Sequence, residues 1–284
     1  MRSLLRLTLV AGGIGLGAAA GLAQGTASPS GQVTSGAAAP AQAAAPAQAA
    51  ASAQAAAPRP PLTTDQQLAA LQKKMLDWAQ LGYYRDRNAA LAPAAAGEQR
   101  VVFYGDSITE IWGRSWKASF GDKPYVDRGI SGQTSPQMVV RFHQDVVDLH
   151  PAVVVILAGT NDIAEKTGPM TQEATLDDFR AMAEMARANG IKVVVGSIPP
   201  ADDFPWNKGL EPAPKIKAMN ERLQAWCKSE GVVWVDYYSA LTDEKGAMKP
   251  GLSLDGVHPT PAGFAIMTPL AEAGIARAQA KQAQ

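Results

Sequence analysis

Five short runs rich in β-branched and aromatic residues recur after Arg100, and amphipathic helical patterns separate them. The runs are Val101 to Tyr104, Tyr125 to Ile130, Ala152 to Ala158, Lys192 to Ile198 and Val232 to Asp236. Most are continuously apolar, not alternating, as strands buried on both faces are. Strands of that kind, alternating with helices, predict an α/β fold: a central parallel sheet covered by helices on both faces. In such sheets the functional groups gather at the carboxyl ends of the strands.

The intervening helices carry their own signals. One starts at Ser135-Pro136, sets Val139, Phe142, Val146 and Leu149 on one face, and stops before Pro151. The next opens with a capping box from Thr175 to Asp178 and closes at Asn189-Gly190. A third places Ile216, Met219, Leu223, Trp226 and Cys227 on a buried face, so the single cysteine reads as a small core residue. Upstream, Thr64 is expected to cap a helix with Leu68, Leu71, Met75 and Trp78 on one face, ending at Gly82.

Ahead of this domain the composition changes twice. Residues 1–23 resemble a secretory signal peptide: Arg2 and Arg6, an apolar stretch from Leu7 to Ala20, then the small-x-small site Gly21-Leu22-Ala23. Glycines 12, 13, 15 and 17 do not make a dinucleotide loop, because no strand precedes them. No cysteine follows to take a lipid, so a cleaved signal, or an uncleaved anchor as the alternative, is expected. Residues 24–61 collapse to Ala, Pro, Gln, Ser and Gly, with Ala-Gln-Ala-Ala-Ala starting at Ala41, Ala47 and Ala53. Frequent prolines break helix there and nothing can bury a core, so the segment reads as a disordered spacer. The folded domain is expected over 62–284, with 62–99 as a helical extension. These features predict export to the periplasm or beyond, with no membrane span once the signal is removed.

Charge and composition narrow the function. Twenty-six basic residues balance 26 acidic ones, which gives no reason to expect nucleic acid or an anionic membrane as partner. The three histidines, His143, His150 and His258, and Cys227 are spaced unsuitably for zinc, so neither a metal nor another cofactor is expected.

Polar, glycine-containing segments follow three of the strands. They are Gly105-Asp106-Ser107, Arg128 to Thr134, and Gly159-Thr160-Asn161-Asp162; beyond the last strand comes Asp255-Gly256-Val257-His258-Pro259. Together they offer a hydroxyl, a glycine N–H, a carboxamide and a carboxylate–imidazole pair. Chemistry suggests the roles. Ser107 would attack an acyl carbonyl, His258 would take its proton, and Asp255 would orient and stabilise the imidazole. The N–H groups of Ser107 and Gly132 and the side chain of Asn161 would bind the oxyanion; glycine lets its N–H approach a substrate closely. The Gly-x-Ser-x-Gly elbow of other α/β esterases is absent.

These four blocks resemble the SGNH-hydrolase, or GDSL esterase/lipase, family, with Ile108 where the family name has Leu. Gly-Thr-Asn-Asp and Asp-Gly-Val-His-Pro are closest in flavour to the platelet-activating-factor acetylhydrolase catalytic subunits. The resemblance runs from about Arg100 to the C-terminus. It implies a flavodoxin-like three-layer sandwich, with Ser107, Gly132, Asn161 and His258 as the four signature residues and Asp255 as the acid of the triad. It also implies a serine esterase acting on small-molecule or glycan esters without a cofactor, short acyl groups such as O-acetyl being favoured by export. Lysophospholipid hydrolysis, acyl transfer to a sugar, and a non-catalytic carbohydrate-binding domain are the alternatives.

Other residues receive plainer roles. Asp106 and Asp162 are expected to bond loop backbone, Arg128 to anchor its loop, and Trp112 and Trp116 to pack. The loop from Pro199 to Pro214 lies at the active-site end of the sheet, where long loops set specificity. Its Phe204 and Trp206 are candidate substrate contacts, Trp206 either stacking on a sugar or lining an acyl pocket, or else plugging the loop onto the body.

Overall fold

The computed structural model describes residues 63–280. The signal peptide and spacer expected over residues 1–61, and Leu62, lie outside the described residues. The strands are β1 (Val101–Gly105), β2 (Tyr125–Gly129), β3 (Val153–Leu157), β4 (Lys192–Gly196) and β5 (Val233–Val235). All pair in parallel, in the order β2-β1-β3-β4-β5. Each expected run carries one strand, so the α/β reading holds. The helices are α1 (Thr64–Leu76), α2 (Arg85–Ala90), α3 (Ser107–Gly113), α4 (Trp116–Phe120) and α5 (Ser135–Asp145). After them come α6 (Thr160–Ile163), α7 (Gln172–Ala188), α8 (Pro212–Ser229), α9 (Tyr237–Leu241) and α10 (Pro261–Ala280).

The continuous apolar character of the strands is explained by burial on both sides. Val102, Tyr104, Val154, Ile156, Val193 and Val195 pack under α5, α7 and α8. Their neighbours Val101, Phe103, Val153, Val155 and Val194 point the other way, under α3, α4 and α10. On that second face Phe103 meets Trp112, Trp116 and Phe120 at centroid distances of 5.6, 4.9 and 4.9 Å, so both tryptophans are packing residues. Truncating such a ring costs about 3–5 kcal/mol.

Strand order fixes where the site lies. The connection after β1 runs to β2 on one side and the connection after β3 runs to β4 on the other, so a crevice opens between the carboxyl ends of β1 and β3. Glycines let the β1–α3 turn close tightly there. A Cβ on Gly105 would stand 2.1 Å from Thr109 Oγ1, and one on Gly129 would stand 2.2 Å from the Glu110 backbone nitrogen. Fully buried Arg141 ties the same ends together, donating to Gly105 O at 2.9 Å, to Arg128 O at 3.0 Å and to Asp145 Oδ2 at 3.1 Å.

Several boundaries differ from the sequence pattern. α1 is capped by Thr63 rather than Thr64, through a Thr63–Gln66 capping box, and it stops at Leu76, not at Gly82. Its apolar stripe does not enter the core: Leu68 is 56% exposed and Met75 81%. A spacing of four marks a face, but not whether anything covers it. α7 begins at Gln172 with Thr171 as cap. The Thr175–Asp178 pair lies inside that helix and is engaged elsewhere: Thr175 is buried and Asp178 Oδ2 lies 2.7 Å from Ser135 Oγ. Beyond His258, where the sequence pattern predicts no element, the chain forms α10, whose alanines, glycines and internal Pro269 dilute the helical signal. Among the described residues no helix is long and apolar enough to cross a membrane.

Candidate active site

Ser107 is the first residue of α3, immediately past the buried strand β1. Asp106 caps that helix, its Oδ1 accepting the Ile108 N–H at 2.9 Å. The cap turns the chain sharply and leaves Ser107 at the sheet edge, partly exposed. His258 arrives from the loop before α10, 151 residues away in sequence, and places Nε2 2.8 Å from Ser107 Oγ.

The Asp255–His258 segment is a self-bonded turn. Asp255 Oδ1 accepts the backbone N–H groups of Val257 at 3.0 Å and His258 at 2.8 Å, and the Ser253 hydroxyl at 3.1 Å. Its Oδ2 lies 2.6 Å from His258 Nδ1. Burial works to raise the Asp255 carboxyl, but these donors outweigh it and hold it down at about 2. An ionised Asp255 accepts only, so Nδ1 carries the proton and Nε2 is left as the acceptor facing Ser107.

The other expected residues converge on the same point. Asn161, buried in the first turn of α6, donates through Nδ2 to Asp106 Oδ2 at 3.2 Å and to Gln133 O at 3.0 Å. It therefore links the turn carrying Ser107 to the loop carrying Gly132. Gly132 itself has φ of 79°, which glycine adopts without strain. Among the described residues neither its N–H nor that of Ser107 has a hydrogen-bond acceptor. The site thus combines a hydroxyl bonded to an imidazole with nearby donors, the components that acyl transfer requires.

Two of the flanking carboxylates are buried supports. Asp162 accepts from the Ser135 N–H at 3.1 Å and from the Ser135 hydroxyl, joining α6 to α5. Burial pushes Asp106 and Asp162 up to about 6, in each case against hydrogen bonds that favour the charged form. Arg128 anchors its loop, donating to Asn88 Oδ1 at 2.8 Å and to Asp127 O at 2.7 Å, and it lies over the Tyr84 ring.

The loop after β4 separates its two candidates. Phe204 is fully buried and belongs to the core, whereas Trp206 is 38% exposed. Trp206 stacks on Phe204 at 5.5 Å and lies 5.9 Å from the His258 ring, with Lys166 Nζ 4.8 Å from its centroid. Only Trp206 of the pair borders the site. Leu254, next to Asp255, is 95% exposed. Among the described residues no three His, Cys, Asp or Glu side chains group as metal ligands would.

The residues that hold the loop around Gly132, namely Glu110, Gln133 and Arg141, carry no sequence signal of that task. Glu110 stands three positions after Ser107, a spacing that suggests only a capping box.

The family model for GDSL-like lipases and acylhydrolases matches residues 103–266. Esterase TesA of Pseudomonas aeruginosa is 29% identical over 176 residues, covering 58% of this chain and 81% of that protein. A GDSL-like lipase from Bacteroides thetaiotaomicron superposes with a TM-score of 0.68 at 44% identity, over 70% of this chain and 98% of that one. Axe2, an acetylxylan esterase from Geobacillus stearothermophilus, shares the fold with a TM-score of 0.52 at 18% identity, over 64% of this chain and 95% of its own.

Proposed function

The chain belongs to the GDSL-like lipase/acylhydrolase family, and from that premise we propose that it is a serine esterase in which Ser107 is the nucleophile, His258 the base and Asp255 the orienting acid. The observation that carries this reading is the unbroken chain Ser107 Oγ–His258 Nε2 (2.8 Å) and His258 Nδ1–Asp255 Oδ2 (2.6 Å).

As Ser107 Oγ bonds to the ester carbonyl carbon, its proton passes to His258 Nε2 and the carbonyl oxygen takes up the negative charge. The N–H groups of Ser107 and Gly132 and the Nδ2 of Asn161 bind that oxyanion. The bonds of Asn161 Nδ2 to Asp106 Oδ2 at 3.2 Å and to Gln133 O at 3.0 Å hold that donor in place, and the oxyanion shares its hydrogens. Each such donor is worth roughly 2.7–4 kcal/mol of barrier. Collapse of the intermediate expels the alcohol, protonated by the imidazolium that Asp255 stabilises. Water, deprotonated by the same imidazole, then attacks the acyl-enzyme and releases the acid.

For substrate, the reading is a short acyl ester, such as an O-acetyl group on a polysaccharide, met outside the cytoplasm. The signal-like residues 1–23 support export, and an acetylxylan esterase of the same fold supports the acyl group. The test is hydrolysis of p-nitrophenyl esters from acetate to octanoate, together with acetate release from acetylated xylan. Loss of activity in Ser107→Ala and a preference for acetate are expected. Equal rates for wild type and Ser107→Ala sink the nucleophile assignment, and preference for octanoate sinks the short-acyl one.

A further inference from the structure

Gly132 is held in place by hydrogen bonds to its neighbours rather than by packing. Apart from its two chain neighbours, no residue places a heavy atom within 4 Å of where its Cβ would be. Before it, Ser131 is bound twice by one carboxylate: Glu110 Oε2 accepts the Ser131 N–H at 2.8 Å and also the Ser131 hydroxyl. The other oxygen, Oε1, accepts the hydroxyl of Tyr83. After it, the Gln133 side chain donates to Ala79 O at 2.9 Å and to Gln80 Oε1 at 3.1 Å.

Two features of this arrangement matter. Glu110 sits one turn beyond Ser107 on α3, so the element that presents the nucleophile also grips the loop expected to bind the oxyanion. Further contacts come from residues 78–84, upstream of the region matched by the family. Trp78 O accepts Gln137 Nε2 at 2.6 Å, and Tyr84 Oη donates to Gly129 O at 2.5 Å. That segment is itself fixed by Asp77, which accepts the N–H groups of Leu81 at 2.6 Å and Gly82 at 3.0 Å. A carboxylate holding three donors makes charge-assisted bonds, stronger than neutral ones.

We propose that Glu110, oriented by Tyr83, is a positioning residue that fixes the Ser131–Gly132 turn so that the Gly132 N–H meets the oxyanion, which makes the N-terminal segment part of the catalytic apparatus. This rests on the reading of Gly132 as an oxyanion donor. Losing the clamp leaves substrate binding intact and weakens only the interaction that grows in the transition state, so kcat should fall and KM should not.

The experiment compares Glu110→Ala, Glu110→Gln, Tyr83→Phe and Ser107→Ala in the full chain. It measures kcat and KM for p-nitrophenyl acetate, inhibition by a phenylboronic acid and the thermal midpoint. Glu110→Ala is expected to lower kcat about 10- to 100-fold with KM within about threefold, and to weaken the boronate by a similar factor, since removing an oxyanion donor outright costs roughly 10²–10³. Glu110→Gln keeps an acceptor for the Ser131 N–H and should recover most of the rate. Tyr83→Phe should lose a few-fold in kcat.

Wild-type kcat in folded Glu110→Ala overturns the clamp while leaving the esterase reading intact. So does a loss in Glu110→Ala that Glu110→Gln fails to recover. If Glu110→Ala does not fold, Tyr83→Phe decides: unchanged kcat and boronate affinity overturn the proposal. Full activity in Ser107→Ala removes the reading of the site itself, and the clamp with it.

Discussion

Asn161 Nδ2 donates to Asp106 Oδ2 at 3.2 Å, a bond that ties the turn after β1 to the turn after β3 across the crevice between them. The same carboxylate caps α3 through the Ile108 N–H. One buried side chain therefore shapes the turn that carries Ser107 and orients the neighbouring carboxamide.

Asp106→Ala should reveal both tasks. Loss of the cap is expected to cost about 1 kcal/mol of stability, visible as a lower urea midpoint. Asn161 keeps only its bond to Gln133 O, so kcat should fall at least about tenfold, a fraction of the full worth of an oxyanion donor. Asp106→Asn should be no better, because one orientation of the amide sets its NH₂ against Asn161 Nδ2 and the other sets it against the Ile108 N–H. An Asn variant with wild-type kcat contradicts the assignment.

Asp255→Asn should separate orientation from folding. The amide can accept the His258 Nδ1–H or present its own NH₂ to the ring, and the second arrangement puts the imidazole proton on Nε2, facing Ser107. In the serine-protease triad the equivalent change costs ≈10⁴ in kcat. The Asp255 side chain is 41% exposed, so water can stand in for part of its role and a loss of roughly 10²–10³ is expected here. Stopped-flow measurement of the p-nitrophenol burst, with circular dichroism to confirm folding, checks it; an unchanged burst rate speaks against the triad.

Stability should peak in mildly acidic solution. Burial, against opposing hydrogen bonds, raises Asp106, Asp127 and Asp162 to about 6, whereas an unfolded aspartate titrates near ~3.9. Between roughly pH 4 and 6 the native protein holds protons that the unfolded chain has released, so stability falls as pH rises through that window and then levels off. Asp255 acts in the opposite sense: its folded value of about 2 gives stability that is present above ~3.9 and lost as pH falls towards 2. Urea unfolding from pH 3 to 8 should show the maximum, and Asp162→Asn should flatten the decline between pH 4 and 6. A steady rise in stability from pH 4 to 7 contradicts the burial argument.

Trp206 and Phe204 should respond differently to truncation. Phe204→Ala removes a fully buried ring and is expected to cost about 3–5 kcal/mol, read as a lower thermal midpoint. Trp206→Ala removes a ring that borders His258 and is partly in solvent, so the midpoint should move little while KM changes several-fold across an acyl-length or glycan series. Identical KM values across both series would make Trp206 a packing residue only.

Much of this was legible in the chain because burial leaves a local trace. The run Val101 to Tyr104 had to be a strand covered on both sides, and the face from Ile216 to Cys227 had to be buried; both are. The α1 stripe obeys the same spacing, yet its leucines face solvent, since periodicity encodes a face and not its cover. Helix starts were legible only to within a few residues. Thr63 and Thr171, not Thr64 and Thr175, make the caps, because several threonines compete and the geometry chooses among them.

For the candidate site, the sequence by itself determined the chemical parts: a small hydroxyl residue after a buried strand, a glycine and an asparagine after two others, and an aspartate three residues before a histidine. It also determined the α/β class, because strands hydrophobic on both faces can be satisfied only between two helical layers. Tertiary structure alone decided that β1 lies between β2 and β3, which brings three of these parts to one crevice, and that His258 Nε2 meets Ser107 Oγ across 151 residues. It alone gave Glu110 its partners Tyr83 and Ser131, buried Phe204 and left Trp206 beside the imidazole. The physical reason is range: local spacing records which way a side chain points, but strand order and register decide what it points at.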